Sequence, residues 1–156
     1  MMKQIIQKFF SIVIITILLL VTSCGESKLN NNENNPDAKN ITDDCIKMII
    51  TADDSLGSVR NNACREISLS QTIINYTAGL ESLDFSNCPK PFSDAFQSHI
   101  KAWNNMLKET DNYPDLRGEM HDLFDQIKAG SDSTKFKILE AEIWSTWSAV
   151  EEAMKK

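Results

Sequence analysis

The chain has 156 residues, 42% of them hydrophobic, and its 16 basic against 22 acidic side chains give a formal charge of −6. That length suits one domain able to bury a real core. The acidic balance argues against nucleic acid, or direct adhesion to anionic phospholipid, because every phosphate contact would be made against the net charge; a cationic partner is favoured instead.

Lys3 and Lys8 form a positive leader, Phe9 to Val21 an apolar run of 13 residues, and Thr22 and Ser23 a pair of small residues before Cys24. This is the three-part design of a secretory signal. A transmembrane anchor is the other reading, and length decides against it. At about 1.5 Å per residue the run covers about 20 Å of a hydrocarbon core about 30 Å thick. The stretch Val21-Thr22-Ser23-Cys24 resembles the lipobox of bacterial lipoproteins: an aliphatic residue, a hydroxyl residue, a small residue, then cysteine, closing an apolar run. Val21 stands where leucine is more usual. The resemblance implies that residues 1–23 are a signal peptide removed by cleavage, that Cys24 carries a diacylglycerol thioether, and that its new amino terminus is acylated. Two or more acyl chains anchor stably to a bilayer, since each buried methylene contributes about 0.8 kcal/mol. Gly25 follows the cysteine where aspartate would favour inner-membrane retention in some bacteria, so the resemblance implies the outer membrane of the cell envelope. Loss of Lys3 and Lys8 takes the charge from −6 to −8.

Residues 24–40 comprise the lipidated cysteine and a tether. Gly25 to Asn40 holds six asparagines and a single large apolar side chain, Leu29, too little to offset the entropy of ordering. From Ile41 the apolar spacing is helical almost throughout, which predicts an all-α domain over 41–156, a bundle of four or five amphipathic helices. A first helix is expected from Thr42, with Cys45, Met48, Ile49, Ala52 and Leu56 on one side, until Gly57 weakens it. A second is expected from about Ser58 to Ala78 or Leu83, with Val59, Ala63, Ile67 and Ile74 on one stripe and Leu69, Ile73, Tyr76 and Leu80 on another. Hairpin and single bent helix both fit these two segments. Pro89 and Pro91 mark a connection. A third helix carries Phe92, Phe96, Ile100, Trp103 and Leu107. The fourth is expected to open at Pro114, to include Gly118, to carry Leu116, Met120, Leu123, Phe124 and Ile127, and to close at Gly130. The fifth, from about Asp132, carries Phe136, Leu139, Ile143, Trp147, Val150 and Met154.

With Cys24 lipidated, Cys45, Cys64 and Cys88 remain, giving one disulfide and one leftover thiol in an oxidising compartment. Along an uninterrupted second helix Cys64 and Cys88 would stand about 30 Å apart, beyond the roughly 7 Å limit, so they meet only if the chain doubles back. Cys45 reaches Cys88 if the first two helices form a hairpin. No Cys-x-x-Cys or haem-attachment spacing occurs.

The two histidines, His99 and His121, together with Trp103, are the candidate ligand or metal residues of the bundle interior. Imidazole beside the carboxylates around His121 would suit a divalent transition metal, although the Glu-x-x-His pair of di-metal bundles is missing. Trp103 and Trp147 lie on core stripes. Trp144 falls one residue off its stripe and is the candidate for an exposed aromatic at a groove or interface. There is no Gly-x-Ser-x-Gly elbow and no phosphate-cradling glycine loop. The expectation is a non-enzymatic, cofactor-free envelope protein whose helical domain binds another envelope protein. The alternatives are a small-molecule or metal binder, or a protein similar to the small helical, cysteine-containing lipoproteins that inhibit lysozyme; that likeness rests on secretion, acidic charge and tryptophan-bearing helices.

Overall fold

Pro36 opens the first helix at the position where a missing N–H costs nothing, and the helix then runs 28 residues to Ala63. The coordinates are a computed structural model that describes residues 36–131 and 133–155. The signal run, Cys24 and the tether up to residue 35 lie outside them. Among the described residues the regular structure is entirely helical: α1 Pro36–Ala63, α2 Leu69–Glu81, α3 Lys90–Thr110, α4 Met120–Ala129 and α5 Thr134–Met154. None is long and apolar enough to cross a membrane.

Two boundaries differ from the sequence expectation. Helix α1 starts at Pro36, inside the segment assigned to the tether, and passes through Gly57 without ending. One helical glycine costs about 1 kcal/mol, which the packing of Cys45 and Ile49 on the inward face outweighs. The break falls instead at Cys64 to Ser68. There Arg65 and Glu66 close tight turns on Asn62 and Ala63, and Ser68 begins the next helix by accepting the Gln71 N–H at 3.2 Å. The stripe Val59, Ala63, Ile67, Ile74 therefore spans two helices, and Val59 and Ile74 face solvent. The companion stripe Leu69, Ile73, Tyr76 and Leu80 lies within α2 and is buried throughout. The second correction is at α4. The chain after Pro114 is turn rather than helix, Glu119 is the N-cap, and Gly118 lies outside the helix, its N–H donating to the Cys64 carbonyl at 3.2 Å. Gly130 caps α4 as expected.

The α1–α2 pair is a hairpin, closed by a disulfide between Cys45 and Cys88 with 5.2 Å between their Cα atoms, while Cys64 is a buried free thiol. Ser70 bonds Thr110 and Glu81 bonds Asn104, so α2 and α3 are antiparallel. His99 meets Thr146, Asn105 meets Glu142, and Glu109 pairs with Lys135, so α3 and α5 are antiparallel too. Helix α3 is central: it packs on α2 and, most extensively, on α5, whereas α4 bridges α1 and α5. Its buried Phe92, Phe96, Ile100, Trp103 and Met106 form the middle of the core. Leu56 rests directly over Gly79, where an added Cβ would come within 2.9 Å of a leucine methyl; the missing side chain lets α1 and α2 approach closely.

Candidate binding groove

Because α1 and α5 pack on α2 and α3 but scarcely on each other, a groove opens between them. Asp53 and Arg60 of α1 form one wall, Ile143, Trp144 and Trp147 of α5 the other. Tyr76 of α2 and His99 and Trp103 of α3 form the floor. Together they enclose about 130 Å³. A smaller depression of about 40 Å³ continues past Arg60, Trp103 and Trp144 to Met120, His121 and Phe124 at the start of α4. On its other side Arg60, with Asp53, borders a polar hollow lined by Ser58, Asn61 and Glu119.

The helical register of α1 places its charges here. Cys45, Ile49, Asp53, Leu56, Arg60 and Cys64 recur at three- and four-residue steps, so two charged residues lie on the inward stripe. Arg60 lies over the rings of Tyr76 and Trp103, 4.3 and 4.1 Å from their centroids. Cation–π attraction of this kind contributes about 0.5–2 kcal/mol, more as water is excluded. Its Nε and Nη2 both donate to Asn61 Oδ1, at 3.1 and 3.0 Å, which fixes the guanidinium from behind. The Tyr76 hydroxyl donates to Asp53 Oδ1 at 2.5 Å. Burial raises the Asp53 carboxyl above its usual range, against the opposing pull of the Tyr76 bond and Arg60. Burial also drives the phenol of Tyr76 well above its usual value, so it stays a protonated donor.

His99 is a fully engaged neutral imidazole. Trp103 Nε1 donates to its Nε2 at 3.1 Å, which makes Nδ1 the protonated nitrogen; Nδ1 lies 3.0 Å from Thr146 Oγ1, and that hydroxyl in turn donates to the carbonyls of Glu142 and Ile143. Burial first, then the charge of Arg60, lowers the His99 pKa to about 4. With its Nε2 lone pair held by the indole, His99 has no electron pair to give a metal. His121 lies elsewhere, at the first turn of α4, with Nδ1 2.8 Å from Glu119 Oε1. The structure thus joins His99 and Trp103 and leaves His121 at the neighbouring depression. Among the described residues no group of three or more histidine, cysteine, aspartate or glutamate side chains is arranged to hold a metal ion.

Trp144 is 59% exposed at the lip of the groove, as its off-stripe position suggested. Trp147 is half-buried, 5.2 Å from the His99 ring, with its indole N–H on Glu151. Asp53 and Arg60 escaped the sequence reading, and Tyr76 entered it only as a stripe residue of the second helix. The signal was present: once α1 is continuous through Gly57, Asp53 and Arg60, seven residues apart, fall on its buried stripe. No protein-family model, no curated protein and no solved structure matches this chain.

Proposed function

We propose that the chain is a bacterial envelope lipoprotein, anchored to the outer membrane through acylated Cys24, whose helical domain binds a protein partner without catalysing a reaction. The lipobox-like Val21-Thr22-Ser23-Cys24 supports the anchor, and the groove between α1 and α5 supports the binding role. The observation that carries the binding reading is Trp144, an exposed indole beside a cleft of about 130 Å³. Small-molecule sites usually enclose about 300–1,000 Å³. A cleft of this size takes one ring or one branched side chain, which is how a partner's anchor residue is received. The engaged state of His99 speaks against the metal alternative. The net acidic charge supports a cationic partner, steering its approach more than its final affinity.

The two halves of the proposal are tested separately. Cys24→Ser is expected to abolish palmitate labelling and leave unprocessed precursor; normal palmitate incorporation in that variant contradicts the anchor. In-cell crosslinking of tagged full-length chain is expected to recover a reproducible protein partner, and Trp144→Ala to lose it.

A further inference from the structure

Arg60 is shared by all three adjoining depressions at the groove: the ring-sized cleft, its extension toward α4, and the polar hollow. Its plane is held by the rings of Tyr76 and Trp103 and its Nε edge by Asn61, a neutral acceptor. Of the carboxylates that line these depressions, Asp53 accepts the Tyr76 hydroxyl and attracts Arg60 electrostatically, Glu119 accepts the His121 and Asp122 N–H groups, and Glu140 accepts Lys128 at 2.9 Å. Among the described residues no carboxylate ion-pairs with Arg60 at salt-bridge distance. The guanidinium also bonds the Tyr76 side chain, and its remaining N–H groups keep the planar geometry that matches a carboxylate. Beside it, under Trp144 and Trp147, is room for one ring or branched apolar group.

Resting on the partner-binding reading, we propose that the groove receives the C-terminal residue of a partner polypeptide, its chain-end carboxylate on the Arg60 guanidinium and its aromatic or branched apolar side chain against Trp144 and Trp147. The chemistry selects a chain end over an internal acidic side chain. Aspartate and glutamate carry their carboxylate on a short stem with no ring-sized apolar group beside it, whereas a terminal residue carries both groups on one carbon. The overall acidity of the domain is no obstacle: a cationic protein has a terminal carboxylate, and the long-range field acts on the whole partner while Arg60 acts on its end.

The test uses full-length protein in detergent and N-acetylated hexapeptides with no charged side chains, ending in phenylalanine, tyrosine or leucine, each with a free carboxylate or an amide, read by intrinsic tryptophan fluorescence. At least one free-acid peptide is expected to bind saturably and at least tenfold more tightly than its amide. Arg60→Lys, which keeps the charge but loses the fork, is expected to shrink that preference severalfold. The acid-to-amide comparison on the unaltered protein stands even if that variant misfolds. Equal binding of acid and amide overturns the proposal. So does 3-phenylpropionate binding as tightly as the best peptide, which would make the ligand a free aromatic acid. If no peptide binds while Trp144-dependent crosslinking persists, the chain-end proposal falls and the partner-binding reading stands; if both fail, both readings fall.

Discussion

Tyr76 and His99 show how single polar side chains are tolerated in this core. Tyr76→Phe would remove the hydroxyl that bonds Asp53 at 2.5 Å and leave a buried carboxyl short of a donor. The expected loss is about 1–3 kcal/mol, measured by urea unfolding; an unchanged midpoint would show that water replaces the phenol without cost. His99 makes a prediction about pH. Its folded pKa of about 4 lies below the ordinary 6.5, so between those values the unfolded chain binds a proton that the folded one refuses. Its contribution is fully present above pH 6.5 and is lost as pH falls toward 4, on the order of 3 kcal/mol at most. Asp53, with its carboxyl raised, acts in the opposite sense, because the folded state takes up that proton more readily just above the ordinary 3.8. Comparing His99→Gln with the parent protein isolates the imidazole: the variant's stability should decline less between pH 6.5 and 4. Parallel curves would contradict the buried neutral assignment.

At the scale of elements, α3, α5 and the end of α4 were legible because each keeps one apolar stripe, whereas Pro114 marked a turn and not the start of α4. Pro89 and Asp111 bound α3, and Gly130 closes α4. The α1–α2 junction was harder. Gly57 advertises a break that tertiary packing overrides, while the actual start of α2 is marked by the quieter Ser68-x-x-Gln71 pattern, only half of a capping box here: Ser68 accepts from the Gln71 N–H, and the Gln71 side chain turns to Asn75. The groove was partly hidden for the same reason, since Asp53 and Arg60 share a stripe only along an unbroken α1. Trp103 and Trp144 were legible from register alone. The hairpin left Cys88 to Cys45, 43 residues apart. Loop closure of that length is worth about 4 kcal/mol in the chain-entropy account; Cys45→Ser with Cys88→Ser should lower stability by roughly that amount in chemical denaturation. Cys64 is buried, and burial pushes its thiol pKa up. Alkylation mapped by peptide mass should therefore reach Cys64 only after denaturation, and Cys45 and Cys88 only after reduction. Labelling of Cys64 in the native protein would place it at an accessible site.

For the molecule as a whole, an acidic helical domain carries a groove on one side, and on the proposed function acylated Cys24 anchors it. Composition supplies the charge, and the register of α1 and α5 supplies the groove; neither alone indicates recognition. The most direct measurement places a photoreactive phenylalanine analogue at position 144 in the full-length chain, in cells, and compares it with the same analogue at Ile74, exposed on α2. The account predicts one reproducible crosslinked protein from position 144 and none from position 74. Absence of any crosslinked protein at 144, or identical products from both positions, would contradict it.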